Sequence, residues 1–225
     1  QPPHLLPVAQ VLAIGARVAG ALDYAHAHHV VHRDVKPANI MWDPATDTVK
    51  AMDFGVARIT DASKTRTGIV LGTPSFMSPE QLCGAKVDGR TDLYALGVTL
   101  FQLLTGALPL QAESMPELMH KIVHVPAPDV RTLRPDLPEA VATLVAKALN
   151  KRPEDRYQTG AQLAQAFTHA MDNALQQSIG EVTAAVVYDP DRSPAEQNML
   201  LTKTTVLEHP QQQSPASRPV AAPVG

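Results

Sequence analysis

The stretch His32–Ile40 reads HRDVKPANI. It sets a carboxylate (Asp34), an ammonium (Lys36) and an amide (Asn39) a few positions apart, between apolar residues on both sides. Groups this polar are costly to bury unless each is hydrogen-bonded or charge-paired, so the cluster is no ordinary piece of core. Its spacing is also too regular for an idle loop, and the flanking sequence indicates what holds it.

Upstream, Val11, Ile14, Gly15, Val18, Ala21, Leu22 and Ala25 recur every three to four residues, which predicts an amphipathic helix over about 8 to 28. Downstream, NIMW and TVKAM are short β-type runs around the turn residues of DPATD, which predicts a small hairpin. The polar cluster therefore joins a helix to a hairpin. From Asp53 to Glu80 no period is sustained and Thr, Ser and Gly dominate, as in a long functional loop. Residues 91–105 contain DLYALGVTLFQLL, apolar on nearly every face, so this helix is expected at the centre of the core. A shorter helix is expected over 114–124. Two amphipathic helices follow, one with Pro138 in its first turn and one capped by Thr159. After about 175 the sequence turns to Pro, Gln and Ser, and 176–225 is expected to be a disordered tail or linker.

Composition narrows the function. The 225 residues carry a net charge of −3 without a basic run, which argues against a nucleic-acid partner. Cys83 is the one cysteine, so no intramolecular disulfide can form, and a reducing compartment is expected. Cys83 itself is expected to pack on a short helix after Glu80. No apolar run approaches the ~20 residues of a bilayer span, which predicts no membrane segment within the chain. The chain opens on Gln1 with no start signal, which suggests a piece of something longer.

Just past the second expected strand stands Asp53-Phe54-Gly55. Magnesium prefers hard oxygen ligands and takes few protein carboxylates alongside phosphate oxygens, so Asp53 with the amide oxygen of Asn39 suits it. Asp34 is then free for another role. The bland alternative for these residues is a polar loop that caps helices and turns.

The chain resembles the C-terminal lobe of a protein kinase, of the bacterial eukaryotic-like Ser/Thr type, over about residues 5–175. His32-Arg33-Asp34 with Asn39 resembles the catalytic loop (32–40), Asp53-Phe54-Gly55 the metal loop, and Ser78-Pro79-Glu80 the end of an activation segment spanning 53–80. In that order and spacing the three motifs are specific, while any one alone would be weak. The resemblance implies a kinase-like fold limited to the C-lobe, mainly α, with a small β hairpin bearing the catalytic and metal loops.

It also implies roles. Asp34 is the base toward the attacking hydroxyl, and Lys36 neutralises charge on the transferred phosphoryl group. Asn39 and Asp53 hold Mg2+, and Lys36, Asn39, Met41 and Asp53 contact ATP, with Met41 beneath the adenine. His32 and Phe54 join a regulatory apolar column beside Gly55. Asp92 bonds the catalytic-loop backbone, Glu80 pairs with Arg156, and Thr73 bonds Asp34 and Lys36. Arg33 before Asp34 goes with activation by phosphorylation, and Thr65 and Thr67 are the expected phosphosites.

Lys36 and GTPSFMSPE resemble Ser/Thr kinases rather than Tyr kinases. Ala38 stands where many basic-directed kinases carry Glu, which leaves the substrate motif open. The implied partners are proteins bearing Ser or Thr and a kinase homodimer for autophosphorylation. The implied location is the cytoplasm, or the cytoplasmic part of a longer membrane-anchored protein.

A complete kinase also needs a glycine-rich loop, a strand lysine and a helix glutamate. No G-x-G-x-x-G occurs, and Lys147 follows a helical period, so it is not the strand lysine. The N-lobe is therefore expected to be missing and the isolated chain inactive. A pseudokinase or non-catalytic nucleotide-sensing or scaffold module is the competing reading. His26, His28 and His29 lack a carboxylate or thiol at zinc-type spacing and read as surface or packing residues. Thr202, Thr204 and Thr205 read as solvated linker.

Overall fold

A computed structural model of the chain describes residues 5–53 and 74–187. Compact packing divides the chain into two units, 1–175 and 176–225. Within the first, helix α1 spans Val8–Ala27 and buries Val11, Leu12, Ile14, Gly15, Val18, Ala19, Leu22 and Ala25, the face its periodicity marks. That face packs on α3, Gly89–Thr105, which is buried at every position from Thr91 to Phe101 and forms the axis of the core. Each fully buried Leu or Phe here contributes about 1.5–3 kcal/mol.

Helix α3 starts two residues before the expected position because the Asp88 side chain accepts from the Arg90 N–H and caps it. It ends on Gly106 at φ 78°, a left-handed position that suits glycine. Helix α5, Glu139–Ala148, packs on α3 where Gly97 has no side chain; a Cβ there would lie 2.8 Å from that of Ala148. Pro138 is the residue preceding α5 rather than part of its first turn. The Arg134 guanidinium, held by Asp136, donates to the Leu104 carbonyl at 2.7 Å and so closes the end of α3.

Helix α4, Met115–His124, is capped by Ser114 and buries Leu118 and Ile122 in a smaller cluster with Leu110 and Leu82. The hairpin joins β1, Ile40–Asp43, to β2, Thr48–Ala51, in antiparallel register from Ile40↔Ala51 to Asp43↔Thr48. Ile40, Trp42 and Val49 face the core, while Met41 is exposed. Arg17 on α1 bonds both the Asp47 carboxylate and its carbonyl, tying the hairpin turn to the helix.

Several expectations require correction. The expected loop over 53–80 ends before Pro79, where the single-turn helix α2, Pro79–Leu82, begins with a Ser78/Gln81 capping box. Cys83 is exposed rather than packed, because α2 closes there and the chain turns out through Gly84 at φ 64°. Helix α6, Gly160–Val187, runs past 175, through residues free of proline before Pro190. Helix α1 is long and apolar enough to cross a membrane by length and composition, because a few scattered polar residues do not offset its apolar content. Its apolar residues pack against the core instead.

Candidate active site

The turn between α1 and β1 is built on one buried carboxylate. Asp92, in the first turn of α3 and fully buried, accepts the His32 N–H at 2.8 Å and the Arg33 N–H at 2.7 Å. Arg33 sits at φ 66°, a left-handed conformation that costs a non-glycine residue about 1–3 kcal/mol. The paired bonds to Asp92 hold that strained turn, and Gln81 of α2 adds a bond to the Arg33 carbonyl at 3.3 Å.

His32 is buried beneath the loop. Its Nδ1 accepts the Asp34 N–H at 3.3 Å, which leaves the ring proton on Nε2 to donate to the Met52 carbonyl at 3.0 Å. One imidazole thus links the loop after α1 to the end of the hairpin.

The strained turn presents Asp34 to two neighbours. Lys36 Nζ lies 2.8 Å from Asp34 Oδ2, and Asn39 Nδ2 donates to the same oxygen at 3.0 Å and to the Asp34 carbonyl at 2.8 Å. Pro37–Asn39 form a single 3-10 turn, which folds Asn39 back over Asp34. With its nitrogen on Asp34, the amide turns its oxygen to the other side. The Asn39 carbonyl accepts the Met52 N–H at 2.8 Å, so the backbone sets Asp53 next to Asn39. Asp53 is exposed and stands at φ 57°, a second left-handed residue in this small region.

Asp34, Lys36 and Asn39 are therefore in contact, and Asp53 follows Met52, whose N–H bonds the Asn39 carbonyl. Met41 lies on the outer face of β1, 55% exposed. Phe54, Gly55, Thr65, Thr67 and Thr73 lie outside the described residues. An amide oxygen and a carboxylate make a hard-oxygen donor set that fits magnesium. Among the described residues there is no cluster of three or more His, Cys, Asp or Glu that could hold a metal ion.

A second polar assembly lies behind α2. The Arg156 guanidinium meets Glu80 through two bonds of 2.8 Å and also donates to the carbonyls of Asn150, Lys151 and Arg90. Burial pushes the Glu80 carboxyl up, but bonds from Arg156 and Thr91 with the Arg156 charge outweigh it and hold the group below its ordinary range. Tyr94 lies under the guanidinium at 4.8 Å, and burial pushes its hydroxyl up to about 12. Lys151, lowered to about 8 by burial and by Arg156, donates to the last-turn carbonyl of Ile122.

A family model described as the protein kinase domain matches residues 4–170. The chain belongs to the protein kinase domain family. Relatives of this kinase chain include the DNA damage-responsive serine/threonine-protein kinase RqkA of Deinococcus radiodurans, 41% identical over 160 residues, 70% of this chain and 24% of RqkA. The serine/threonine-protein kinase pkn3 of Myxococcus xanthus is 45% identical over 158 residues, 65% of this chain and 29% of pkn3. The chain thus spans about a quarter of the length of these relatives. The crystal structure of the Mycobacterium tuberculosis PknI kinase domain superimposes with a TM-score of 0.56 at 36% identity, covering 75% of this chain and 57% of that one. The fold is protein-kinase-like, mainly helical with one two-stranded antiparallel sheet among the described residues.

Sequence reasoning on this kinase chain missed three residues of the site. His26, taken for a packing residue, bonds Asp92 Oδ2 through Nε2 at 2.8 Å. Thr91 donates to Glu80 at 2.6 Å, and Gln81 reaches Arg33. Position beside motif residues, Thr91 next to Asp92 and Gln81 next to Glu80, was the available signal for the last two.

Proposed function

We propose that this chain carries the phosphotransfer machinery of a bacterial eukaryotic-like Ser/Thr protein kinase, as its C-terminal lobe. The observation that carries the reading is the Asp34 carboxylate oxygen shared by Lys36 Nζ and Asn39 Nδ2, on a turn anchored to α3. The names of the relatives support serine and threonine as targets.

In this reading the hydroxyl oxygen of a protein Ser or Thr attacks the γ-phosphorus of ATP. The bond from that phosphorus to the bridging oxygen breaks, releasing ADP. The hydroxyl proton passes to Asp34, whose orientation is set by Asn39. Lys36 reaches the transferred group and offsets its charge. Asn39 and Asp53 would hold Mg2+, which when bound would supply neutralisation of phosphate charge. Met41 lies beneath the adenine. Thr65 and Thr67 are autophosphorylated within a homodimer, Arg33 receives the phosphate, and the site works on the cytoplasmic side.

The sequence contains no G-x-G-x-x-G, and in this reading the chain alone transfers phosphate negligibly. The test is γ-labelled ATP with a general Ser/Thr protein substrate, using the chain alone and joined to a glycine-rich lobe. Label on Ser or Thr from the joined protein, lost by at least ~10²-fold in Asp34→Asn, is the expected result. Undiminished transfer in Asp34→Asn would overturn the assignment, and transfer by the chain alone would overturn the need for the second lobe.

A further inference from the structure

We propose that His120 and His124 form a two-histidine site for a transition-metal dication such as zinc, in the last turn of α4. The inference uses no part of the phosphotransfer reading.

The stretch His120–His124 reads HKIVH, so the two imidazoles stand one turn apart on one face of the helix. Two histidines four residues apart on a helix face can bind one zinc ion. Their ring centroids lie 4.7 Å apart. Two nitrogens on a tetrahedral zinc, each at about 2.0–2.1 Å, stand about 3.3 Å from each other. Rotation about χ2, which is broad for histidine, brings one nitrogen of each ring to that spacing.

The rings are available for a ligand. Both residues are exposed, and among the described residues no hydrogen bond or ion pair occupies either imidazole. Lys121, the cation between them, is engaged elsewhere, on Glu117 at 2.8 Å and on the Gln111 carbonyl at 3.0 Å. His124 is the final residue of α4, and the carbonyl end of a helix favours positive charge. Histidine is also a poorer helix former than alanine or lysine, so helix propensity does not account for the pair.

Imidazole suits zinc, copper and nickel, whereas magnesium takes oxygen ligands. The pair therefore selects a different class of ion from magnesium. No third His, Cys, Asp or Glu joins it among the described residues, so water fills the remaining positions. The two rings share a face only while the last turn of α4 is helical. That turn also contains the buried Ile122, whose carbonyl accepts the Lys151 ammonium at 2.8 Å. An ion bound there clips the turn and stabilises the fold by mass action.

The test is calorimetric titration of Zn2+ into the metal-free 225-residue chain. It compares wild type with His120→Gln, His124→Gln and both together. Because the sequence holds nine histidines, a His28→Gln, His29→Gln variant serves as control. Loss of even an outer-shell partner typically costs 10–100-fold in metal affinity, so each single variant should bind at least about tenfold more weakly. The control, and wild type in about a thousandfold excess of Mg2+, should stay within about twofold. Zn2+ should raise Tm in wild type but not in the double variant. A wild type that binds no Zn2+, a double variant weakened less than about tenfold, or a control weakened as much as the double variant overturns the site. If a variant does not fold, amide NMR of wild type with substoichiometric Cu2+ decides. Signals of residues 119–125 should broaden first, and broadening that begins at 26–29 instead overturns the site.

Discussion

Replacing Glu80 by Ala leaves the Arg156 guanidinium buried without its counter-charge. The Arg156 side chain is 0% exposed, and two of its N–H groups lose their carboxylate acceptors while the bonds to Asn150, Lys151 and Arg90 remain. Thr91 loses its acceptor as well. Removing one partner of a buried pair typically destabilises by about 3–5 kcal/mol. For a domain of this size that lowers Tm by roughly 6–20 °C. Arg156→Met should cost more than Glu80→Ala, because three backbone carbonyls also lose a donor. The double variant should then show a coupling of about 2–3 kcal/mol.

Urea unfolding of the 225-residue chain followed by circular dichroism measures all three variants. Acid adds an independent reading. The folded Glu80 carboxyl sits below its ordinary value of 4.5, so the unfolded chain binds more protons there. The stabilisation is present above that value and disappears as pH falls through the folded pKa, and Glu80→Ala lacks this part of the acid loss. A Glu80→Ala within ~0.5 kcal/mol of wild type, or a coupling below ~0.5 kcal/mol, would refute the reasoning.

Lys151 predicts a rise of stability with pH at the alkaline end as well. Its ammonium is lowered to about 8 from 10.5, so between those values the unfolded chain holds the extra proton and stability rises with pH. Wild type should gain on Lys151→Met between pH 8 and 10 in urea titrations, and an unchanged difference would contradict the half-buried placement. Gly15→Ala should destabilise by about 1–3 kcal/mol despite alanine's better helix propensity, because the added Cβ would lie 2.4 Å from the Phe167 ring, which is fully buried. A thermal melt showing a stabilised Gly15→Ala would mean that the Phe167 ring does not sit against Gly15.

The sequence made the central parts of this fold legible because they depend on local rules. The period of α1, the apolar girth of α3, the turn residues between β1 and β2 and the Thr159 cap are each set by nearby residues. Asp34, Lys36 and Asn39 fall within one short motif, so their contact was readable as well. What escaped were contacts across long separations whose partners carry no mark in their own neighbourhood. His26 bonds Asp92 sixty-six residues away. It looked like one of several surface histidines because nothing local shows that Gly89 has left room for it. The bond from Arg17 of α1 to Asp47 in the hairpin turn is a similar case. Cys83 was misplaced for a different reason, since α2 is one turn long and its end depends on Gly84 rather than on a helical period.

The central claim is that Asp34, Asn39 and Asp53 serve one bound nucleotide. A crystal structure of the chain joined to a glycine-rich lobe, with magnesium and a non-hydrolysable ATP analogue, tests it most directly. The account predicts a metal ion about 2.1 Å from an oxygen of Asn39 and one of Asp53, with the γ-phosphate toward Asp34. A metal bound elsewhere, or Asp53 turned away from a nucleotide that Asn39 and Asp34 do contact, would contradict it.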